Sequence, residues 1–168
     1  MPRLFALDHN FPTPIVEVLA DFQEDAELVR IDAIHPAMPD LDDWEVLLAL
    51  HHDARPWDGL ITTDTSMLNQ PLELSVMIQT RLTLVAVRAA GDNPVKACGL
   101  LFAHLAGISR RTRNDRPQIW TPAAAERSHD EPWKSLERVA DHRNDDARAL
   151  FDAHRLSDAE FARNPLGK

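Results

Sequence analysis

The chain reads as an α/β fold, a three-layer α/β/α sandwich built on a central parallel sheet of about five strands, with a C-terminal helical appendage. Three observations predict it. From Arg3 to Thr121, short apolar runs alternate with longer stretches whose apolar residues recur at helical spacing. Proline, asparagine and aspartate punctuate the changes of period. After Pro122 the strand-like runs stop and helical patterns take over. Alternation of this kind places strands side by side in parallel, with helices on both faces of the sheet.

Each element has its own signal. Arg3–Leu7 is a short apolar run of buried-strand type. Thr13 and Pro14 read as an N-cap followed by proline at the first helical position, and Ile15, Val18, Leu19 and Phe22 repeat at helical spacing. Glu27–Ile34 carries Leu28, Val29, Ile31 and Ile34 and predicts a strand. Beyond Pro36 and Pro39, one helical stripe carries Leu41, Trp44, Leu47, Leu48 and His51. Gly59–Thr63 is a compact strand, and Asn69-x-Pro71 opens a helix with Leu72, Leu74, Val76 and Met77. Leu82–Val87 is a strand rich in β-branched residues. Asp92-Asn93-Pro94 starts a helix that turns Val95, Cys98, Leu101, Phe102 and Leu105 inward, and Gln118–Thr121 closes the series as a strand. Residues 1–121 therefore form the α/β domain. Residues 122–168 form the helical extension, with patterns over Pro132–His142 and Asp145–His154 and a capping box at Ser157-x-x-Glu160. This extension is too small to hold a core alone and is expected to pack on the domain, on a second copy or on a partner.

Composition excludes several classes. At 168 residues, 44% hydrophobic and 27% charged, the chain is neither fibrous nor disordered. A single cysteine, Cys98, excludes an internal disulfide and any thiolate cluster. It lies on an apolar helical stripe and reads as core. No run of 18 apolar residues occurs, and the start MPRLFALDHNF lacks a signal-peptide core, so the expected location is cytoplasmic and away from membranes. The histidines form no zinc-binding pattern.

The net charge of −9 is unevenly spread. Met1–Asp64 holds fourteen acids against three arginines, whereas Thr65–Arg113 holds two acids against six bases. In a parallel sheet the strand C-termini share one edge, where ligands bind. Asp8 follows the first strand and Asp64 the third. Asp40, Asp42, Asp43 and Glu45 open the helix that leads into the third strand. Converging carboxylates repel, and the common resolutions are a shared proton, an arginine or a hard divalent cation. Mg²⁺ and Mn²⁺ favour oxygen ligands, polarise phosphoryl oxygens and activate water. A purely structural role exists for the same acids, since Asp42-x-x-Glu45 is also a capping pattern.

Asp8-His9-Asn10-Phe11-Pro12 after a first strand, Asp43-x-Glu45 at a helix start and Leu60-Ile61-Thr62-Thr63-Asp64 at a strand end together resemble the PIN-domain superfamily. The nearest likeness is to its stand-alone PIN-like, toxin-type group, over about residues 3–105. The resemblance implies a small α/β/α fold and an acidic site for Mg²⁺ or Mn²⁺. It further implies hydrolysis of RNA phosphodiesters, often as the toxin of a toxin–antitoxin pair. Asp8, Asp43 and Asp64 match the family's catalytic and metal-binding acids, with Glu45 the alternative to Asp43. Asn10 matches an asparagine that orients Asp8 or a bound water, and Thr62, Ser66 and His9 are supporting positions. Ser66 stands where the family has a second aspartate, and Met67 where it has an aromatic. Ser66 brings no charge, which weakens a metal site. Glu73 is the nearest later acid and is given no place at the site.

Arg110, Arg111 and Arg113, with Arg116 nearby, cluster after the fourth helix. They are expected either to complement the helix dipole or to track phosphates beside the acidic cleft. Among the aromatic residues, Trp44 reads as core and Trp57 as the more exposed candidate for base stacking. The leading expectation is a Mg²⁺- or Mn²⁺-dependent ribonuclease whose partners are RNA, an antitoxin protein and a second copy of the chain. The alternative is a catalytically degenerate PIN-like module that binds RNA or protein. Two other enzyme classes fit less well. A phosphatase of the haloacid dehalogenase type needs an acid at Asn10, and a receiver domain needs an acidic pair where Leu7 precedes Asp8.

Overall fold

A computed structural model describes residues 2–9, 11, 16–17, 24–88, 93–123 and 127–167. Its centre is a six-stranded sheet in the order β2-β1-β3-β4-β5-β6. The strands are β1 (Arg3–Leu7), β2 (Ala26–Arg30), β3 (Gly59–Thr62), β4 (Thr83–Ala86), β5 (Gln118–Pro122) and β6 (Arg127–Asp130). The first five are parallel, and β6 runs antiparallel to β5. The helices are α1 (Ile31–Ile34), α2 (Asp43–His52), α3 (Pro71–Thr80), α4 (Pro94–Ser109), α5 (Pro132–Arg143), α6 (Ala147–His154) and α7 (Asp158–Phe161). The fold is α/β, with helices packed on both faces of the sheet.

Strand alternation divides the core in two. Ala6, Leu60, Leu84, Ala86 and Ile119 face α2, α3, α5 and α6, where they meet Leu47, Leu74, Met77, Leu136 and Phe151. Phe5, Leu7, Ile61, Val85 and Trp120 face the other way and meet Ala97, Leu101, Leu105 and Ile108 of α4. The sheet is tight at β3. A Cβ on Gly59 would lie 2.0 Å from the carbonyl oxygen of Thr83 in β4, so no larger residue fits without parting the strands.

Two features of the topology matter for function. The chain steps from β1 out to β2, then back across β1 to β3, so its direction reverses between β1 and β3. That reversal is a switch point, and in open α/β sheets ligands bind outside the strand C-termini there. The second feature is a crossover of unusual hand. The β3–α3–β4 and β4–α4–β5 connections step the same way along the sheet, but α3 and α4 lie on opposite faces, so the two have opposite hands. The β2–α2–β3 crossover shares the face and direction of β3–α3–β4, which makes β4–α4–β5 the exception to the right-handed rule. The end of α4 reaches the start of β1, where Arg3 Nε donates to the Ser109 carbonyl at 3.4 Å.

Several expectations are revised. The predicted strand Glu27–Ile34 ends at Arg30, and Ile31–Ile34 is a single helical turn that buries Ile31. The turn stops at His35, which is extended ahead of Pro36, as residues preceding proline are. The extension after residue 121 is not purely helical. It begins with β6, which pairs with β5 through Ile119–Asp130 and Trp120–His129. Arg-Ser-His-Asp lacks an apolar pattern, and an edge strand needs only backbone pairing on one side. Helix α5 then packs against α3, and Leu136, Val139, Leu150, Phe151 and Leu156 join the main core. Cys98 is buried, as expected of a core residue. The helix predicted from Thr13 and the orienting residue Asn10 lie outside the described residues, apart from Val16 and Glu17.

Candidate functional site

The ends of β1 and β3 lie side by side and are locked by one hydroxyl. Thr62, the last residue of β3, is buried. Its Oγ1 donates to Asp8 Oδ2 at 2.9 Å and accepts the Asp64 backbone N–H at 2.9 Å. Asp8 follows β1, and its own N–H donates to the Ile61 carbonyl at 2.9 Å, which extends the β1–β3 ladder by one bond. Asp64 Oδ1 accepts the Ser66 N–H at 2.7 Å, the geometry of an aspartate turn. The Ser66 contribution is thus its backbone donor, which holds Asp64 in place. His9 Nδ1 lies 2.8 Å from Asp8 Oδ1.

Two helix starts face these strand ends. Asp43 is the first residue of α2, and Glu73 lies in the first turn of α3. With Asp42, Trp44 and Leu72 they line an open cleft of about 470 Å³. Burial pushes the Asp43 carboxyl up to about 6, and the charges of Asp64, Asp8, Glu73 and Asp42 add to the rise. Glu73 is raised too, first by burial and then by Asp42 and Asp64. Asp43 therefore feels the charges of Asp8, Asp64 and Glu73, and Glu73 that of Asp64, at the switch point. Arg30, at the end of β2, also faces Asp8, but its guanidinium forks onto Asp32 at 2.9 and 2.8 Å and donates to the Phe11 carbonyl.

No family model, curated protein or solved structure matches the chain. The reading of this edge therefore rests on its own chemistry.

The sequence-predicted acids divide by role. Asp8, Asp43 and Asp64 share one edge of the sheet, where the charges of Asp64 and Asp8 reach Asp43. Glu45 is not with them. Its Oε2 accepts the Asp42 N–H at 3.0 Å in the capping box of α2, so it serves the helix end. Glu73, given no place from the sequence, joins the group. Its signal was available, because the helix after β3 must begin at the same sheet edge as Asp64 and Glu73 is two residues beyond its opening proline.

The arginine cluster is a clear correction. Arg110, Arg111 and Arg113 lie at the opposite edge of the sheet from the acids. A helix that connects two parallel strands runs antiparallel to them, so the C-terminal end of α4 returns to the strand N-termini. Arg110 pairs there with Asp25, which precedes β2, at 3.1 Å. Arg113 forks onto Asp115 at 2.9 and 3.1 Å. These residues do not flank the acidic cleft. The tryptophans exchange roles as well. Trp57 is buried, donates to Asp53 Oδ1 at 3.1 Å and carries Arg55 over its ring at 4.4 Å. Trp44 is half-buried and lines the acidic cleft.

The donor set suits a hard divalent cation, since every candidate ligand is a carboxylate oxygen. Among the described residues, however, no three His, Cys, Asp or Glu side chains are grouped so as to hold a metal ion. The expected three-acid cage is therefore not formed by the protein alone. Mg²⁺ does not need one, because it keeps several waters and binds through one or two carboxylates together with substrate phosphate.

Proposed function

We propose that the chain is a Mg²⁺- or Mn²⁺-dependent endoribonuclease of the PIN-like kind. The observation that carries the reading is the convergence of Asp8, Asp43, Asp64 and Glu73 on the β1–β3 switch point, with Asp43 pressed by the other three. A divalent cation bound there would polarise the phosphoryl oxygen and lower the pKa of an attacking water. Asp8 and Asp64 are the residues to hold it, because Thr62 and the Ser66 N–H fix both carboxylates in advance. Asp43, half-buried and with its carboxyl near 6, is the group to take up or release a proton beside the reacting phosphate. Ordering by Thr62 spares the rearrangement that would otherwise accompany each turnover. A role as the toxin of a toxin–antitoxin pair belongs to the same proposal and rests on the resemblance alone.

The test is Mn²⁺ binding by calorimetry, followed by cleavage of a single-stranded RNA pool, for the wild type beside Asp8→Asn and Asp64→Asn. The expected result is binding and cleavage in the wild type and loss of both in each variant. Equal Mn²⁺ binding by all three folded proteins sinks the reading. A second reading, a degenerate module that binds RNA without cutting it, is favoured by Ser66 in place of an acid and by the missing cage. RNA binding that survives EDTA, with no cleavage in Mn²⁺, selects it.

A further inference from the structure

A second cavity runs along the sheet face beneath α5, from Ile119 and Asp130 to Arg88 and Asn69 on the same edge of the sheet as the acids. It has a volume of about 400 Å³ and is lined by Asn69, Arg88, Asp130, Ser135, Arg138 and His142, among others. Its position follows from the topology. Val87 N donates to the Thr62 carbonyl at 2.9 Å, so the end of β4 sits beside the end of β3. Arg88 is the next residue and stands one strand along from Asp64. Helix α5 runs back towards this edge from the far end of β6 and brings His142 over the turn that carries Asn69. The cavity is thus a cationic neighbour of the acidic cleft, which the Arg110 cluster is not.

Its two guanidiniums differ in an informative way. Arg88 is exposed and, among the described residues, enters no ion pair. Arg138 is held by one nitrogen, which donates to Asp130 Oδ2 and to Ser135 Oγ, the latter at 2.9 Å. Asp130 is itself fixed by the Glu131 N–H at 2.9 Å and by Ser135 Oγ at 3.3 Å. The Arg138 side chain nevertheless remains 61% exposed. Its Nε and second terminal nitrogen make no hydrogen bond among the described residues, which leaves donors for an oxyanion with several acceptor atoms. A chain of net charge −9 with Asp42, Asp43 and Glu73 lining its cleft repels a polyanion, so a strand that reaches that cleft needs a cationic hold close by.

We propose that this cavity binds a phosphate group between Arg88 and Arg138, with Asn69 and His142 as additional contacts. The source of the phosphate is a single-stranded RNA whose neighbouring phosphodiester reaches the acidic cleft, which rests on the nuclease reading above.

The experiment is fluorescence anisotropy with a labelled single-stranded RNA in EDTA, over a range of salt, on the whole chain. Arg88→Gln and Arg138→Gln are each expected to weaken binding about tenfold and to reduce the salt slope by about 0.7. Arg110→Gln, at the other edge, is expected to leave both unchanged. Arg138 also braces Asp130, so Arg138→Lys separates charge from folding and is expected to restore most of the binding. Calorimetry with inorganic phosphate distinguishes the sources. Arg88-dependent binding of inorganic phosphate without RNA binding keeps the phosphate site and overturns the strand as its source. RNA binding insensitive to Arg88→Gln, or equally sensitive to Arg110→Gln, overturns the site, as does a wild type that binds neither probe. Because EDTA removes the metal, each result is independent of the Mn²⁺ test. Arg88-dependent RNA binding with no Mn²⁺ binding retains this site and rejects the nuclease.

Discussion

The two edges of the sheet use the same residue type in opposite ways. At the edge of strand N-termini Asp58, Asp25 and Asp115 each have a cation. Asp58 Oδ1 accepts from Arg3 at 2.8 Å, and its Oδ2 accepts the Leu4 N–H at 2.7 Å. Asp25 pairs with Arg110 and Asp115 with Arg113. At the edge of strand C-termini, the proton affinities of Asp43 and Glu73 rise, first through burial and then through the neighbouring carboxylates. A paired acid supports the fold. A crowded one opposes it, and the function proposed for the second edge rests on that contrast.

The largest expected effect lies at the first edge. Asp58 has a side-chain exposure of 8% and ties the start of β1 to the residue before β3. Removing it strands the Leu4 N–H and takes away the carboxylate partner of Arg3, which keeps the Ser109 and Thr112 carbonyls and Asn114 Oδ1 as acceptors. Asp58→Ala is expected to lose about 3 kcal/mol, which is about 6–12 °C in melting temperature for a chain of this size. A loss under about 1 kcal/mol in a thermal melt would break the comparison from this side.

The next effect has the opposite sign. The folded-state pKa of Asp43, about 6, lies above its ordinary value of 3.8. Below that ordinary value the carboxyl is protonated in both folded and unfolded states and costs nothing. As pH rises through 6 the folded state must ionise an unwilling group, so stability falls. Asp43→Asn removes that penalty. With solvent screening allowed for, it is expected to gain about 1–2 kcal/mol at pH 8 and nothing below pH 4. Denaturant melts at the two pH values measure it. Destabilisation by Asp43→Asn at pH 8 would show that the acid is a structural member of its edge. Saturating Mn²⁺ is expected to narrow the difference, because at a hundred times its dissociation constant a ligand stabilises the wild type by about 2.7 kcal/mol.

Much of this was legible in the chain. Strand and helix alternation placed Asp8 and Asp64 on one edge, because strand C-termini in a parallel sheet cannot do otherwise. Asp43 and Glu45 were indistinguishable from spacing alone, since both open the same helix. The structure separates them by the capping box, in which Glu45 turns back to the Asp42 N–H. Arg110 was misplaced although the rule that places it was available, because a connecting helix always ends at the edge opposite its start. Strand β6 and the Arg88–Arg138 cavity were not legible. The strand carries no apolar pattern, and the cavity joins residues fifty positions apart that meet only once α5 folds back on α3.

Glu73→Gln sharpens the comparison at smaller scale. Burial, Asp42 and Asp64 raise the Glu73 carboxyl, so its neutral form fits the folded state better. The variant is expected to stabilise above the ordinary range of glutamate, with the gain lost as pH falls through that range. The gain should be smaller than that of Asp43→Asn. It is also expected to add to the Asp43→Asn gain by less than the sum, because part of the Asp43 penalty is the Glu73 charge. Strict additivity in urea melts at pH 8 would mean that the two acids do not share a site.

The smallest expected effect is at Arg110. Its side chain is 67% exposed, its partner Asp25 is 40% exposed, and the pair meets at 3.1 Å. Exposed pairs of this kind contribute about 0–1 kcal/mol, since screening and side-chain ordering offset most of the attraction. Arg110→Gln is therefore expected to change stability by no more than about 0.5 kcal/mol. The result matters because the two edges make different claims on the same substitution. If RNA tracks the arginines after α4, Arg110→Gln weakens RNA binding and flattens its salt dependence. If the strand lies along the C-terminal edge, past Asp64 and Arg88, that variant binds RNA as the wild type does while Arg88→Gln does not. The pair of variants then assigns the nucleic acid to one edge of the sheet by a difference in binding at nearly constant stability.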